Sequence, residues 1–400
     1  AASAVRGTAM NNIPVQAFDP AEKSFYPALL HMDGDRFIGL ERRSHGESTL
    51  YFAPGFIDSH AHVYPGATDL GIPVDKIGLS TGVHLVVDAG SAGSTNFPCF
   101  RDYVAPAFKT PIKAFLNIGR AGLVTKHPYF DPRDLDLSAA VDTMRQDHSG
   151  MLLGIKVLSS GLIVEEAGLE PLRGAVKAAD ALGCRIMAHL VEGPPSNHDT
   201  MALLRAGDII THIFHGAPNL DANRKASKGA AIDTRYCSLG NVMWNPDGTP
   251  TPPLADAISR GVFLDVGHGA ASLAQEVARR AIKAGIRAFS ISTDAHIRNV
   301  DTVVQSLPHT MSKFLALGMS LSEVVASVTI IPARQLGLYP DWTDLTKRAT
   351  LFRLRPVTSE DPPFLDAYQN TIPVQQVVEP VAVVTDSAIS PLASNWSIAR

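Results

Sequence analysis

Apolar and polar positions alternate with different periods in different parts of the chain. Up to about residue 55 the pattern is one of short strands and turns. Pro27-Ala28-Leu29-Leu30-His31-Met32 and Arg36-Phe37-Ile38-Gly39-Leu40 flank Asp33-Gly34-Asp35, and an Asp-Gly step between apolar runs is a hairpin signal. A module this short cannot close a sheet alone. Residues 350–354 and 377–385, near the other end, read as its partner strands. The pattern predicts a small β-sandwich domain from residues 1–54 plus 345–400.

Between the ends, apolar runs of strand length recur at 84–88, 113–117, 153–158, 185–190, 209–214, 262–266 and 288–293, after an opening run at Phe56-Ile57-Asp58. Amphipathic stretches separate several of them. Residues 169–182 and 272–284 carry apolar groups at helical spacing, with Gly183 and Gly285 as C-terminal stops. Eight strand-helix units over residues 55–344 predict an α/β fold, a (β/α)8 TIM-like barrel with its helices outside. An open doubly wound sheet is the competing arrangement; no GxGxxG follows the first strand, which weighs against it.

Composition narrows the partners. The 400 residues are 45% hydrophobic, enough for a large core, and the net charge is −4 with Lys and Arg scattered singly. No basic stripe suits nucleic acid or an anionic membrane, so neither is expected as a partner. No run approaches the roughly 20 apolar residues of a spanning helix, and the opening AASAVRGTAM has no long apolar core. Cys99, Cys184 and Cys237 lie far apart and outside any CxxC pattern, which points away from a disulfide framework or thiolate metal site and toward the cytoplasm. A homo-oligomer is the default assembly by frequency alone.

The candidate chemistry lies at the ends of the predicted strands. In Phe56-Ile57-Asp58-Ser59-His60-Ala61-His62 the two histidines are one residue apart. Side chains at i and i+2 of a strand point the same way, so both imidazoles can reach one metal ion. Imidazole suits zinc, cobalt, nickel or iron rather than calcium or magnesium. Lys156 lies toward the end of the fourth run, inside Gly154-Ile155-Lys156-Val157-Leu158, where an unpaired ammonium is costly to bury. His189, His212 and Asp294 end the fifth, sixth and eighth. Singly, each histidine reads as a hydrogen-bonded core residue and Asp294 as a helix cap. Together, six such groups on the strand ends of one barrel are far more specific, because that is the face where barrels of this type place their sites. His212 and His215 compete for the sixth-strand position, and His212, which ends the apolar run, is preferred. No arginine at a strand end offers itself to a substrate carboxylate.

The order HxH, Lys, His, His, Asp resembles that of the amidohydrolase superfamily of metal-dependent hydrolases. The blocks APGFIDSHAHVY, LGIKVLSSGLI, IMAHLVEGPP, DIITHIFHG, LDVGHGAASL and FSISTDAH each look like a family block. The HGAAS segment and the closing EPVAVV strand are similar to the deacetylase branch related to dihydroorotases. The resemblance implies two divalent ions, zinc first among them. His60, His62 and Asp294 would hold the inner ion, His189 and His212 the outer one, and carboxylated Lys156 would bridge the two. A hydroxide shared by the ions would attack the carbonyl of a small-molecule substrate, and Asp294 would pass its proton to the leaving group. His268, between Gly267 and Gly269, is the expected substrate contact. The implied reaction is cleavage of an amide or ester of a small acylated carboxylic acid. A cyclic-amide hydrolase of the dihydroorotase or hydantoinase kind is the competing activity, and a catalytically silent binding relative a distant third. Residues 217–253, with Trp244, form the expected lid. Residues 355–373, rich in Pro and acidic groups, depart from the usual family ending.

Overall fold

The computed structural model describes residues 10–125, 128–129, 131–191, 193–216 and 243–392. Four strands open the chain: β1 (Met10–Asp19), β2 (Ser24–Asp33), β3 (Arg36–Arg42) and β4 (Leu50–Pro54). β2 and β3 form the predicted hairpin, pairing Asp33 with Arg36 across Gly34, whose φ of +61° is costly for any residue with a Cβ. Next comes a parallel sheet of β5 (Phe56–Ala61), β6 (Val83–Ala89), β7 (Ile112–Asn117), β8 (Leu152–Leu158), β9 (Arg185–His189), β10 (Ile209–Thr211) and β11 (Phe263–Asp265), side by side in chain order. The chain closes with β12 (Arg348–Pro356), β13 (Gln376–Thr385) and β14 (Ala388–Pro391).

The end strands do not stack as a sandwich. They run in the order β1-β2-β3-β14-β13-β12-β4 and close into a seven-stranded barrel, because β1 pairs antiparallel with β2 on one edge and parallel with β4 on the other. Closure removes the open edges that a small sheet would expose. Val15, Leu30, Met32, Phe37, Phe52, Leu351, Val381 and Val384 fill its interior.

The parallel sheet is buried on both faces, and its strands read as continuous apolar runs for that reason. Every residue of β5 and β6 is buried. Helices cover the outside. Glu170–Leu182 turns Leu172, Ala175, Ala178 and Ala179 inward, carries Pro171 in its first turn and stops at Gly183 in the left-handed region. Gln275–Lys283 buries Ala278, Ala281 and Ile282 in the same way. Burying a side chain of Leu or Ile size contributes roughly 1.5–3 kcal/mol.

Among the described residues the parallel sheet has seven regular strands where eight were predicted. The eighth place is taken by an extended segment, residues 290–295. It makes a single parallel bridge to each edge of the sheet, Asp265 with Ser290 and Ala61 with Ala295. Toward β11 its backbone stays bonded, Ser290 N to Leu264 O (3.0 Å) and Val266 N to Ser290 O (2.9 Å), but the ladder toward β5 is interrupted where Ile291 N–H donates to Ser327 O (2.9 Å). Side chains add to these bonds. Asp58 on β5 accepts from Thr293 N (2.9 Å) and Thr293 Oγ1 (2.5 Å), and Asp265 on β11 accepts from Ser290 Oγ (2.5 Å) and Ser292 Oγ (2.8 Å). Burial pushes the Asp58 carboxyl up to about 7, against the pull of these hydrogen bonds.

Candidate functional site

The C-terminal ends of the parallel strands surround a cavity of about 220 Å³, and His60, His62, Lys156, His189, His212 and Asp294 all line it. One ligand atom each of His60, His62 and Asp294 lies within 4.8 Å of the others, so these three could hold a metal ion. His62 Nε2 is 3.1 Å from Asp294 Oδ1, and His60 Nε2 is 3.5 Å from the same oxygen. The rings of His189 and His212 are 4.3 Å apart between centroids, and those of His60 and His212 are 5.1 Å apart.

Hydrogen bonds fix the tautomers. Thr211 Oγ1 donates to Asp265 Oδ2 (2.7 Å), so its oxygen must accept from His60 Nδ1 (2.9 Å). That leaves the proton on Nδ1 and a lone pair on Nε2. His212 Nδ1 lies 2.8 Å from Gly267 O, which can only accept, so its Nε2 is likewise bare. His62 Nδ1 is 3.0 Å from Ser91 Oγ, and Ser91 N is held by Asp88 (2.7 Å). Burial depresses the His60 and His189 imidazoles and takes His212 down to about 3, keeping the rings neutral. Neutral imidazole is the metal-binding form. Burial alone would raise the Asp294 carboxyl, but His60, His62 and His212 around it hold it well below the usual carboxylate range.

Two local features shape the ligand set. His212 and Asp294 both have positive φ, 69° and 47°, and each turns its chain sharply where extended backbone ends. Such strain persists where the surroundings impose it. Glycines make room beside these groups: a Cβ on Gly269 would lie 2.4 Å from Asp294 Oδ2, and one on Gly90 would lie 2.6 Å from Lys156 Cβ. Lys156 is 1% exposed, and its Nζ has no hydrogen-bond partner among the described residues. Burial pulls its ammonium down to about 8, with Asp294, Asp265 and Asp88 opposing.

A profile of the amidohydrolase family matches residues 51–342, the greater part of the chain. The chain belongs to the amidohydrolase family. A deacetylase of Brucella anthropi is 35% identical over 291 residues, covering 72% of this chain and 67% of that protein. A deacetylase of Enterococcus faecalis is 28% identical and covers 96% of this chain and 97% of its own. The crystal structure of a dihydroorotase superposes with a TM-score of 0.76 at 28% identity, covering 98% of this chain and 100% of that one. The protein is therefore a hydrolytic enzyme, and no helix among the described residues is long and apolar enough to cross a membrane.

Other positions in this amidohydrolase differ from expectation. His268 does not line the cavity. It is fully buried, with Nδ1 on Gly269 O (2.9 Å) and Nε2 on Lys313 Nζ (2.9 Å) of the helix Leu307–Ala316 behind it. His215 is buried away from the cavity lining, whereas His212 lines it, its ring beside those of His189 and His60. Ser159 and Ser160 are buried outside the lining, Ser160 Oγ accepting from Val191 N (3.2 Å). Trp244 sits in the core, bonded to Ile213 O (2.6 Å) and packed on Phe214. Residues 217–242 of the expected lid lie outside the described residues. The residues 355–373 are tied down by Arg355, which bridges Asp361 and Glu379, and by Tyr368, which donates to Ala271 O (2.8 Å). Sequence reasoning overlooked Thr211, Asp265 and Ser91, which orient the histidines. It also overlooked Arg298, which lines the cavity four residues past Asp294. The spacing was visible, but Arg298 follows a turn rather than ending a strand.

Proposed function

We propose that this enzyme is a binuclear, zinc-type hydrolase that removes a small acyl group, acetyl in the first instance, from the amide or ester of a small carboxylic acid. The observation that carries the reading is the convergence on one cavity of four imidazoles, Asp294 and a buried lysine with no hydrogen-bond partner among the described residues. The donor set fits a pair of divalent cations. His60, His62 and Asp294 would hold one, His189 and His212 the other, and Lys156, as the carbamate formed from its amine and carbon dioxide with loss of a proton, would lie between them. An ammonium buried without a partner is unfavourable; an anionic two-oxygen group beside two cations is not. When bound, the pair supplies an activated water and a Lewis acid for the carbonyl oxygen.

The chain's own residues do the rest. Thr211 and Gly267 keep Nδ1 of His60 and His212 protonated, so that Nε2 faces the cavity. Asp294, anionic and inside the cavity, is placed to accept a proton from the attacking water and return it to the leaving nitrogen or oxygen. His268 would act on substrate only through the backbone of Gly269. We read the parallel sheet with its irregular eighth segment as a (β/α)8 barrel comprising residues 55–344, and the chain ends, 1–54 plus 345–400, as a second domain. The two deacetylases support acyl removal. The dihydroorotase likeness favours ring opening of a cyclic amide as the second reading.

The test is metal content by elemental analysis alongside hydrolysis of N-acetyl amino acids, O-acetyl hydroxy acids, dihydroorotate and hydantoins. Close to two divalent ions per chain with turnover of acyclic acetyl substrates is the expected result. Ring opening alone would move the assignment to the second reading, and no retained metal under metal-replete conditions would refute both.

A further inference from the structure

The mouth of the cavity carries a cation whose donor fork is only partly used. Arg298 and Asp69 line the same cavity as the metal-binding group, and Arg298 Nη2 donates to Asp69 Oδ2. Its Nε and Nη1 make no hydrogen bond among the described residues. The pair is half-exposed, 50% for Arg298 and 54% for Asp69, and an ion pair this exposed adds little to stability. The loop that carries it is nonetheless built with care. Asn299, fully buried, donates from Nδ2 to Asp294 O (2.8 Å) and accepts at Oδ1 from His296 N (2.8 Å), fixing the turn from the candidate ligand to the arginine. Ile297 N donates to Leu70 O (3.0 Å), which docks that turn against the loop bearing Asp69. Gly71 packs against the Tyr64 carbonyl, where a Cβ would come within 2.1 Å.

His296 adds a neutral donor. Its Nδ1 accepts from Arg298 N (3.2 Å), so the ring proton is on Nε2, and the residue lines the cavity. The remaining wall is mostly apolar, with Leu70, Leu123, Leu158 and Ile163 beside Thr125. Besides Arg298, the described lining contains one other cationic residue type, Lys156, which the reading above makes an anion.

We propose that Arg298, oriented by Asp69 and assisted by His296, is the receptor for the substrate's carboxylate, so that the substrate is a small α-acylamino or α-acyloxy acid with an aliphatic side chain. Each forked edge of a guanidinium includes Nη2; with one Nη2 N–H on Asp69, the second Nη2 N–H and the free nitrogen beside it form the edge that matches a carboxylate. The apolar wall suits an aliphatic substituent, and a cavity of about 220 Å³ suits a molecule of that size. The inference rests on the hydrolase reading and specifies its substrate.

The test compares N-acetylleucine with its neutral analogue N-acetylleucinamide, using the metal-loaded full chain and the variants Arg298→Met and Arg298→Lys. Each compound is followed by turnover and by equilibrium titration up to about 10 mM. The wild type should favour the acid. Arg298→Met should lower the ratio of kcat/KM for acid over amide about 30- to 100-fold, mainly through KM of the acid, and Arg298→Lys should restore part of it. An unchanged ratio in Arg298→Met, with metal content and hydrolysis intact, overturns this proposal and leaves the hydrolase reading standing. Failure of the metal-loaded wild type to turn over or bind either compound also overturns it. Failure to retain metal at all brings down the underlying reading as well.

Discussion

At the scale of single residues, the decisive group is Lys156. Its Nζ is buried with no hydrogen-bond partner among the described residues, an arrangement that penalises the folded chain unless the amine carries something else in the working enzyme. Lys156→Met should therefore have two opposite effects. Turnover and metal retention should fall, the rate by at least about 10²-fold, while the metal-free variant should be more resistant to urea than the metal-free wild type. Short carboxylic acids added to Lys156→Ala should restore part of the activity by standing in for the carbamate. Wild-type turnover in either variant would rule out the bridge. The residues of this kind that were legible in the sequence owe it to local geometry: His60 and His62 share a face because strand residues two apart must. His268 was not legible, because whether a loop histidine meets substrate or the helix behind depends on Lys313, 45 residues away.

At the scale of elements, the loop after β11 sets the position of Asp294 from outside its own segment. Gly269 has φ +54°, and a Cβ there would approach Asp294 Oδ2 to 2.4 Å. Gly269→Ala should cost about 1 kcal/mol from backbone strain and displace the carboxylate, so metal content and turnover should drop sharply while the far-ultraviolet circular dichroism is unchanged. Gly285→Ala is the control: φ is +95° but nothing lies within 4 Å of its Cβ. It should show the strain cost with activity retained; equal losses in the two variants would show that the contact with Asp294 is irrelevant. Helix positions were readable from period and stops, as at Gly183. The interruption in the eighth segment was not, since it arises where Ser327 captures the Ile291 amide. The closed form of the end strands was equally hidden, because β1 must choose two partners, β2 and β4, and pairing of that kind is not written in either strand's own pattern.

At the scale of the whole molecule, the parallel sheet and the barrel of end strands meet along a seam with polar contacts inside it. Trp342 Nε1 donates to Gly55 O (2.7 Å), Thr350 Oγ1 donates to Gly82 O (2.9 Å), and His84 Nε2 donates to Ala349 O (2.9 Å). The His84 ring lies directly against Gly55, where a Cβ would be 2.6 Å away. Burial takes this imidazole down to about 4, the Ala349 carbonyl opposing and Arg348 adding to the depression. A histidine depressed in the folded chain binds its proton more readily when unfolded, so its contribution to stability is complete above its unfolded value of about 6.5 and is lost as pH falls toward 4. Between pH 7.5 and 5 that loss is about 2 kcal/mol. His84→Gln keeps a donor for Ala349 and removes the titration. Urea unfolding of the two proteins across this range should give a wild-type curve that falls more steeply than the variant's by that amount. Parallel curves would mean that the seam opens before the sheet unfolds, leaving His84 solvated in both states; the joint between the two bodies would then be a docking contact rather than part of one cooperative core.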